Sequence, residues 1–299
     1  RFLASDLVVE TKPDMTPVSD ADRAVEAELR RILERHHPTD AILGEEFGAR
    51  EDRLDSTREW IIDPIDGTKS YVRGVPIWAT LIAVREGDQI TTGVVSAPAL
   101  GRRWWATRGS GAFTSSQLGS PSQDRARGPL SASRVSQLGD ASFGFSDGIG
   151  WDPGALDKLL DATWRQRGYG DFWSHMLVAE GAIDIAAEPE LKVHDVAALV
   201  PIIEESGARA TTFTGAAVQW DDPTVEFSTV TTNGHLHDAV LDLMHSWRRT
   251  PGLLSARDEC HSLPREHMQG HATARANSDQ RLPRRKTLTF GELHPEPSN

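Results

Sequence analysis

The sequence predicts an α/β protein of stacked sheet and helix layers, on three observations. Apolar runs of strand length alternate with amphipathic helical stretches up to about residue 247, the pattern of packed sheets and helices. Residues 78–106 hold three strand-like runs separated by glycine-containing turns, an antiparallel meander. The run Trp60-Ile61-Ile62 drives another strand into the interior and leads into Asp63-Pro64-Ile65-Asp66-Gly67-Thr68. Two acids therefore stand at the edge of a low-dielectric core, where charge survives when something cationic sits on it.

Residues 2–10 read as a helix end or a short strand, and Lys12-Pro13-Asp14 as a loop. Ser19 is an N-cap, with Asp20 and Asp22 in a first turn where negative charge suits the helix dipole. Val25, Leu29, Ile32 and Leu33 then share one face up to His36. Ala41-Ile42-Leu43 is a short strand ending in Gly44-Glu45-Glu46. The strand from Glu59 breaks at Asp63-Pro64, because proline lacks an N–H and fixes its own φ. Strands follow at 78–85, 90–96 and 102–106, and 109–134, rich in Gly, Ser and Pro, is a loop.

Further along, 141–145 is a strand, 153–167 an amphipathic helix and 172–179 another helix. Strand 182–187 runs into Glu188-Pro189-Glu190, and Gly207 stops a helix over 195–205. Strands at 208–213 and 227–231 precede a last helix from His235 to Trp247. Residues 1–247 thus form one domain. Residues 248–299, with several prolines and almost no apolar periodicity, are expected to be a disordered tail.

Composition excludes several function classes. The chain has 299 residues, 38% of them hydrophobic, and no apolar run approaches the length of a membrane span, which is about 18 residues. A formal charge of -12 argues against a nucleic-acid partner. Residues 248–299 carry nine Arg and Lys against six Asp and Glu, leaving 23 basic and 38 acidic groups in the remainder. An acidic body that binds a phosphate needs a cation as intermediary; one that binds a cationic organic group needs none. Cys260 is the single cysteine, so no intrachain disulfide forms, and a reducing cytoplasm fits. The residues from Arg1 do not read as a signal peptide, and a start at Arg1 fits a fragment or a processed end.

The segment Asp63–Thr68 reads as a metal site with a phosphate docked on the same turn. Pro64 stiffens the turn between the acids, and Gly67 admits backbone close to whatever they hold. Glu45, Asp195 and Asp20 stand where strands end and helices begin, and so converge on the same place. Singly, each has a plainer reading as a turn acid or helix cap. All-oxygen ligation suits Mg²⁺, and two such ions about 4 Å apart stabilise both attacking and leaving oxygens of an in-line displacement.

Gly44-Glu45-Glu46, Trp60–Thr68 and His194-Asp195-Val196-Ala197-Ala198, in that order, resemble the inositol monophosphatase superfamily over residues 10–247. The resemblance implies a five-layer αβαβα fold and Mg²⁺-dependent hydrolysis of a small phosphate monoester, with two or three ions per site and Mn²⁺ as a substitute. It implies that Glu45, Asp63 and the Ile65 carbonyl hold one metal, and Asp63, Asp66 and Asp195 the second. It assigns water activation to Thr68 and Asp20, phosphate binding to the backbone of Gly67 and Thr68, and a loop role to Lys12. A homodimer also follows from it. The stretches Gly74–Leu81 and Arg167–Trp173 look most like the bacterial histidinol-phosphate phosphatases of this fold. Histidinol carries an ammonium and an imidazole, so Asp171, Glu188 and Glu190 can pair those cations while an aromatic face stacks on the ring. The chain departs from the family in lacking most of a long first helix before Lys12, in having His194 where many relatives have tryptophan, and in placing Lys192 by the pocket. Rival expectations are an inositol or broad sugar-phosphate phosphatase and a non-catalytic metal-binding protein.

Overall fold

The structure is a computed structural model and describes residues 2–3, 7–12, 17–49, 56–116, 126–152, 154–220, 222 and 224–245. The expected tail, 248–299, lies outside the described residues. In chain order the elements begin β1 (Val9–Thr11), β2 (Pro17–Ser19), α1 (Asp20–His36), β3 (Ala41–Gly44), β4 (Gly48–Ala49), β5 (Arg58–Asp66) and α2 (Thr68–Val72). Then come β6 (Ala79–Glu86), β7 (Gln89–Ala97), β8 (Arg102–Thr107), β9 (Ala112–Ser116) and β10 (Ala126–Arg127). The remainder is β11 (Ser142–Phe145), α3 (Ala155–Ala162), β12 (Arg165–Gly168), α4 (Asp171–Ala179), β13 (Ile185–Leu191), α5 (Val193–Val196), α6 (Leu199–Glu205), β14 (Arg209–Thr211), β15 (Phe227–Thr232) and α7 (His237–His245).

Two sheets organise the chain. The larger runs β10-β9-β8-β7-β6-β5-β3-β4 and the smaller β12-β11-β13-β15-β14, beside a β1-β2 ribbon. Helix α1 packs on β5, α6 on β7 and β8, α4 on α6, β11, β13 and β15, and α3 on α7. The alternation of side chains along β5 explains the layering. Ile61 faces the core shared with α4 and α6, while Ile62 faces Leu33 of α1, so this strand is buried on both sides. Each such side chain contributes about 1.5–3 kcal/mol of burial. Phe143, Leu159, Ile185 and Val240 form a second core between the smaller sheet and the α3–α7 pair. The result is αβαβα. Among the described residues no helix is long and apolar enough to cross a membrane.

Four expectations are corrected. The strand of Asp63 does not end there: β5 continues to Asp66 through a register shift, and Thr80 donates to the Pro64 carbonyl at 2.9 Å. The bulge absorbs the proline that cannot join the ladder. The helix expected over 153–167 stops at Ala162, and Arg165–Gly168 pairs in parallel with β11 as an edge strand. The glycine-rich loop contains β9, which extends the meander. The helix expected over 195–205 is split into α5 and α6.

Candidate active site

Strands β3 and β5 run parallel, so both carboxyl ends reach one edge of the larger sheet. Glu45 follows β3 there, its N–H donating to the Ile62 carbonyl at 3.1 Å. Asp63 and Asp66 occupy the end of β5, and α5, which carries Asp195, packs on that strand. Gly67 turns the chain into α2 with φ 82, and a Cβ on it would fall 2.9 Å from the Ile77 carbonyl and 3.0 Å from Oδ2 of Asp171. The backbone crowding makes glycine obligatory here.

Carboxylate oxygens of Asp63, Asp66 and Asp195 all lie within 4.8 Å of one another. Burial, then the charges of Glu45, Asp66 and Asp195, pushes the Asp63 carboxyl well above its ordinary range. Asp66 is raised by burial and by Asp171 and Asp195, although the N–H of Phe172 donates to its Oδ2 at 2.8 Å. Crowded, desolvated carboxylates repel one another strongly in this environment. Oδ1 of Asp63 is buried with no hydrogen-bond partner among the described residues. An all-oxygen set with a spare buried acceptor fits a hard divalent cation.

Lys12 donates to Oε1 of Glu45 at 2.7 Å and to Glu46. Burial opposes its charge, but the two glutamates hold its ammonium above the usual range. His194 points at the same cluster, with Nε2 3.6 Å from Oδ1 of Asp195 and 4.0 Å from Oε1 of Glu45. Lys192 is 4.0 Å from Glu226.

Thr68 does not face Asp20. Its hydroxyl lies 3.3 Å from Oδ1 of Asp22 and 2.9 Å from the Ile65 carbonyl. Asp22 folds back on the helix cap, accepting from the Ser19 N–H at 2.8 Å and its hydroxyl at 2.6 Å, which leaves the other oxygen for Thr68. Asp20 is the first residue of α1, and its N–H donates to the Val8 carbonyl. The two differ on the helical wheel: Asp22 lines up with Leu29 and Leu33, whereas Asp20 is about half a turn from Leu29 at roughly 100° per residue. An acid that extends the apolar stripe of a helix is a buried acid, and that signal was available in the sequence.

Four residues from Asp22, Glu26 is fully buried. It accepts from the N–H groups of Glu46 (2.7 Å) and Phe47 (3.3 Å) and from Arg30 (2.8 Å), which fixes the loop carrying Glu45. Gly44 is required beside it, since a Cβ there would lie 1.8 Å from Oε1 of Glu26.

A cavity leads away from the acid triad. Acids crowd its wall: Asp66, Asp147, Asp171, Glu188, Glu190 and Asp195, with Lys69 at the mouth 3.8 Å from Asp147. Asp171 adopts φ 46, a left-handed conformation that is uncommon without glycine, and its carboxyl is pushed up to about 6 by burial and Asp195. Glu188 accepts from the Ser146 hydroxyl, and burial raises it to about 8. His175, buried on α4, also lines this cavity. Sequence reading overlooked Asp147 and His175, whose roles depend on strand register and not on any local pattern.

A profile of the inositol monophosphatase family matches residues 3–249. The chain belongs to the inositol monophosphatase family. It is a phosphoric monoester hydrolase. A histidinol-phosphatase of Mycobacterium tuberculosis is 51% identical over 250 residues, covering 82% of this chain and 91% of that protein. A histidinol-phosphatase of Streptomyces coelicolor is 50% identical over 253 residues, covering 82% and 90%. Among solved structures, an IMPase/NADP phosphatase complexed with Mg²⁺ and phosphate superposes with a TM-score of 0.70 at 22% identity, covering 84% of this chain and 90% of that one. That likeness places the family's layered fold beside the one described above.

Proposed function

We propose that this protein is a Mg²⁺-dependent histidinol-phosphate phosphatase, converting histidinol phosphate and water to histidinol and phosphate. The observation that carries the reading is the acid-walled cavity opening directly off the Asp63–Asp66–Asp195 cluster. A polyol has no use for so much negative charge, whereas a leaving group with an ammonium and an imidazole does. The names of the two relatives at 50% identity or more support the same substrate.

Glu45, Asp63, Asp66, Asp195 and the Ile65 carbonyl are the groups that would hold the metal. Divalent magnesium supplies charge neutralisation for the phosphoryl group and a more acidic water. The backbone N–H groups of Gly67 and Thr68 receive phosphate oxygens. With the Ile65 carbonyl, 2.9 Å away, turned to the metal, the Thr68 hydroxyl would donate its hydrogen bond to Asp22 at 3.3 Å, so its lone pair accepts from the attacking water and orients it. Asp171 and Glu188 pair with the cationic groups of the departing alcohol, and the Phe172 N–H keeps Asp66 in place. The setting that accompanies this reading is a cytoplasmic homodimer, supported by the family resemblance and the lone cysteine.

The test is phosphate release from histidinol phosphate, inositol 1-phosphate and glycerol 2-phosphate, with Mg²⁺ and then with chelator. Histidinol phosphate should be the best substrate, and chelator should stop all turnover. Asp66→Asn should abolish activity with the fold intact. Preference for the inositol ester would overturn the substrate, and undiminished activity in chelator would overturn the metal.

A further inference from the structure

Two side chains that line the cavity, His175 and Glu188, and Thr229 paired beside Glu188 are buried, and each has a hydrogen-bonding atom with no partner among the described residues. His175, 1% exposed, commits Nδ1 to the Thr231 hydroxyl at 2.8 Å and leaves Nε2 unpartnered. Glu188 gives Oε2 to Ser146 and has nothing on Oε1. Thr229, fully buried, has no partner for its hydroxyl. Native folds rarely leave buried polar atoms unsatisfied.

Strand register gathers the three. Glu188 lies opposite Thr229, and Ala186 opposite Thr231. Residues two apart on a strand share a face at about 7 Å spacing. His175, over Thr231, is therefore one step along the sheet from the Glu188–Thr229 pair. His175 and Glu188 both line the cavity that begins at Asp66 and Asp195.

We propose that His175 is a specificity-determining residue of this enzyme, its Nε2 hydrogen-bonding the organic group of the ester at the end of the cavity away from the acid triad. The inference rests on the reading that the leaving group enters this cavity. Thr231 fixes the ring's orientation. With Nδ1 donating to Thr231, Nε2 is an acceptor aimed at an N–H or O–H of the ligand. Burial holds the ring's pKa down to about 4, so it is neutral at physiological pH and does not repel a cationic alcohol. Glu188 supplies charge there and His175 supplies direction. A bridging water would satisfy the same three atoms, but ester selectivity would then not depend on His175.

The experiment compares wild type, H175F and H175Q at saturating Mg²⁺ on histidinol phosphate and on glycerol 2-phosphate, an ester too short to reach the inner end. H175F should lower kcat/KM for histidinol phosphate by about tenfold or more, chiefly through KM, and change the short ester by less than about twofold. H175Q, which retains a hydrogen-bonding group, should recover part of the loss. Equal loss on both esters, or none on either, would overturn the assignment. Melting curves accompany each variant; if H175F fails to fold, the same ratio is read from H175Q and H175N, where a changed ratio supports the contact and an unchanged one removes it. Should wild type prefer another ester, the histidinol reading falls, and His175 is judged on that preferred ester against glycerol 2-phosphate.

Discussion

The hydroxyl of Thr68 stands 3.3 Å from Oδ1 of Asp22, at the buried start of α1. One hydroxyl has one hydrogen to donate, and when it is directed at Asp22 and not at the Ile65 carbonyl 2.9 Å away, the oxygen is free to accept from water. Asp22→Asn keeps the shape and an acceptor for Ser19, yet it can turn an N–H₂ toward Thr68. It should lower kcat by about 10²–10⁴-fold, the usual worth of a positioned acid–base group. Asp20→Asn should stay near wild type. If Asp20→Asn were the slower enzyme in steady-state assays, the pairing described here would have no catalytic meaning.

Glu26 makes a separate prediction. It touches no substrate, but it holds the N–H groups of Glu46 and Phe47, the two residues that follow Glu45 in its turn. Partners behind a metal ligand typically govern affinity by about 10–100-fold. Glu26→Gln should therefore raise the Mg²⁺ concentration for half-maximal activity and weaken Mg²⁺ binding in calorimetry, with kcat at saturating metal largely retained. A kcat loss that metal cannot restore would show that the loop is positioned by something else.

Much of this was legible in the chain because it is local. The acids of Asp63–Asp66 and the turn at Gly67-Thr68 announce themselves by spacing, and Ile61 and Ile62 announce a strand covered on both faces. What was not legible depends on pairing between distant segments. Arg165–Gly168 reads as the end of a helix until β11 is there to pair with it. Asp20 and Asp22 are the exception: they look equivalent as first-turn charges, but the stripe of Leu29 and Leu33 on the same helix already separates them. His175 looks like one more residue of an apolar helix. Only the register of β13 against β15 brings Glu188 and Thr229 beside it.

The acid cluster predicts a pH-dependent response to metal. Asp63 and Asp66 have folded-state values raised above their ordinary 3.8. The stability they contribute is full below that value and is lost as pH rises through the raised one, so the metal-free protein is penalised near neutrality. His175 runs the other way: its contribution is present above 6.5 and lost as pH falls toward about 4. Metal binding needs the carboxylates unprotonated. The gain in Tm on adding Mg²⁺ should accordingly be larger at about pH 8 than at about pH 6. A gain independent of pH, measured against a chelator control, would contradict the shared carboxylate site.

Glu188 gives the sharpest solution test of the pocket. Burial raises its carboxyl to about 8, against an ordinary 4.5, so in the free enzyme at neutral pH it is mostly protonated. A cationic alcohol stabilises the ionised form, and binding should expel that proton. Histidinol titrated calorimetrically at about pH 7, in buffers of different ionisation enthalpy, should show release of a large fraction of one proton. Asp171, at about 6, is already largely ionised there and contributes less. Glu188→Gln should weaken histidinol binding and remove most of the release, and KM for histidinol phosphate should fall as pH rises toward about 8 in wild type alone. Binding with no proton released, or release that survives Glu188→Gln, would place the ammonium on a different acid of the wall.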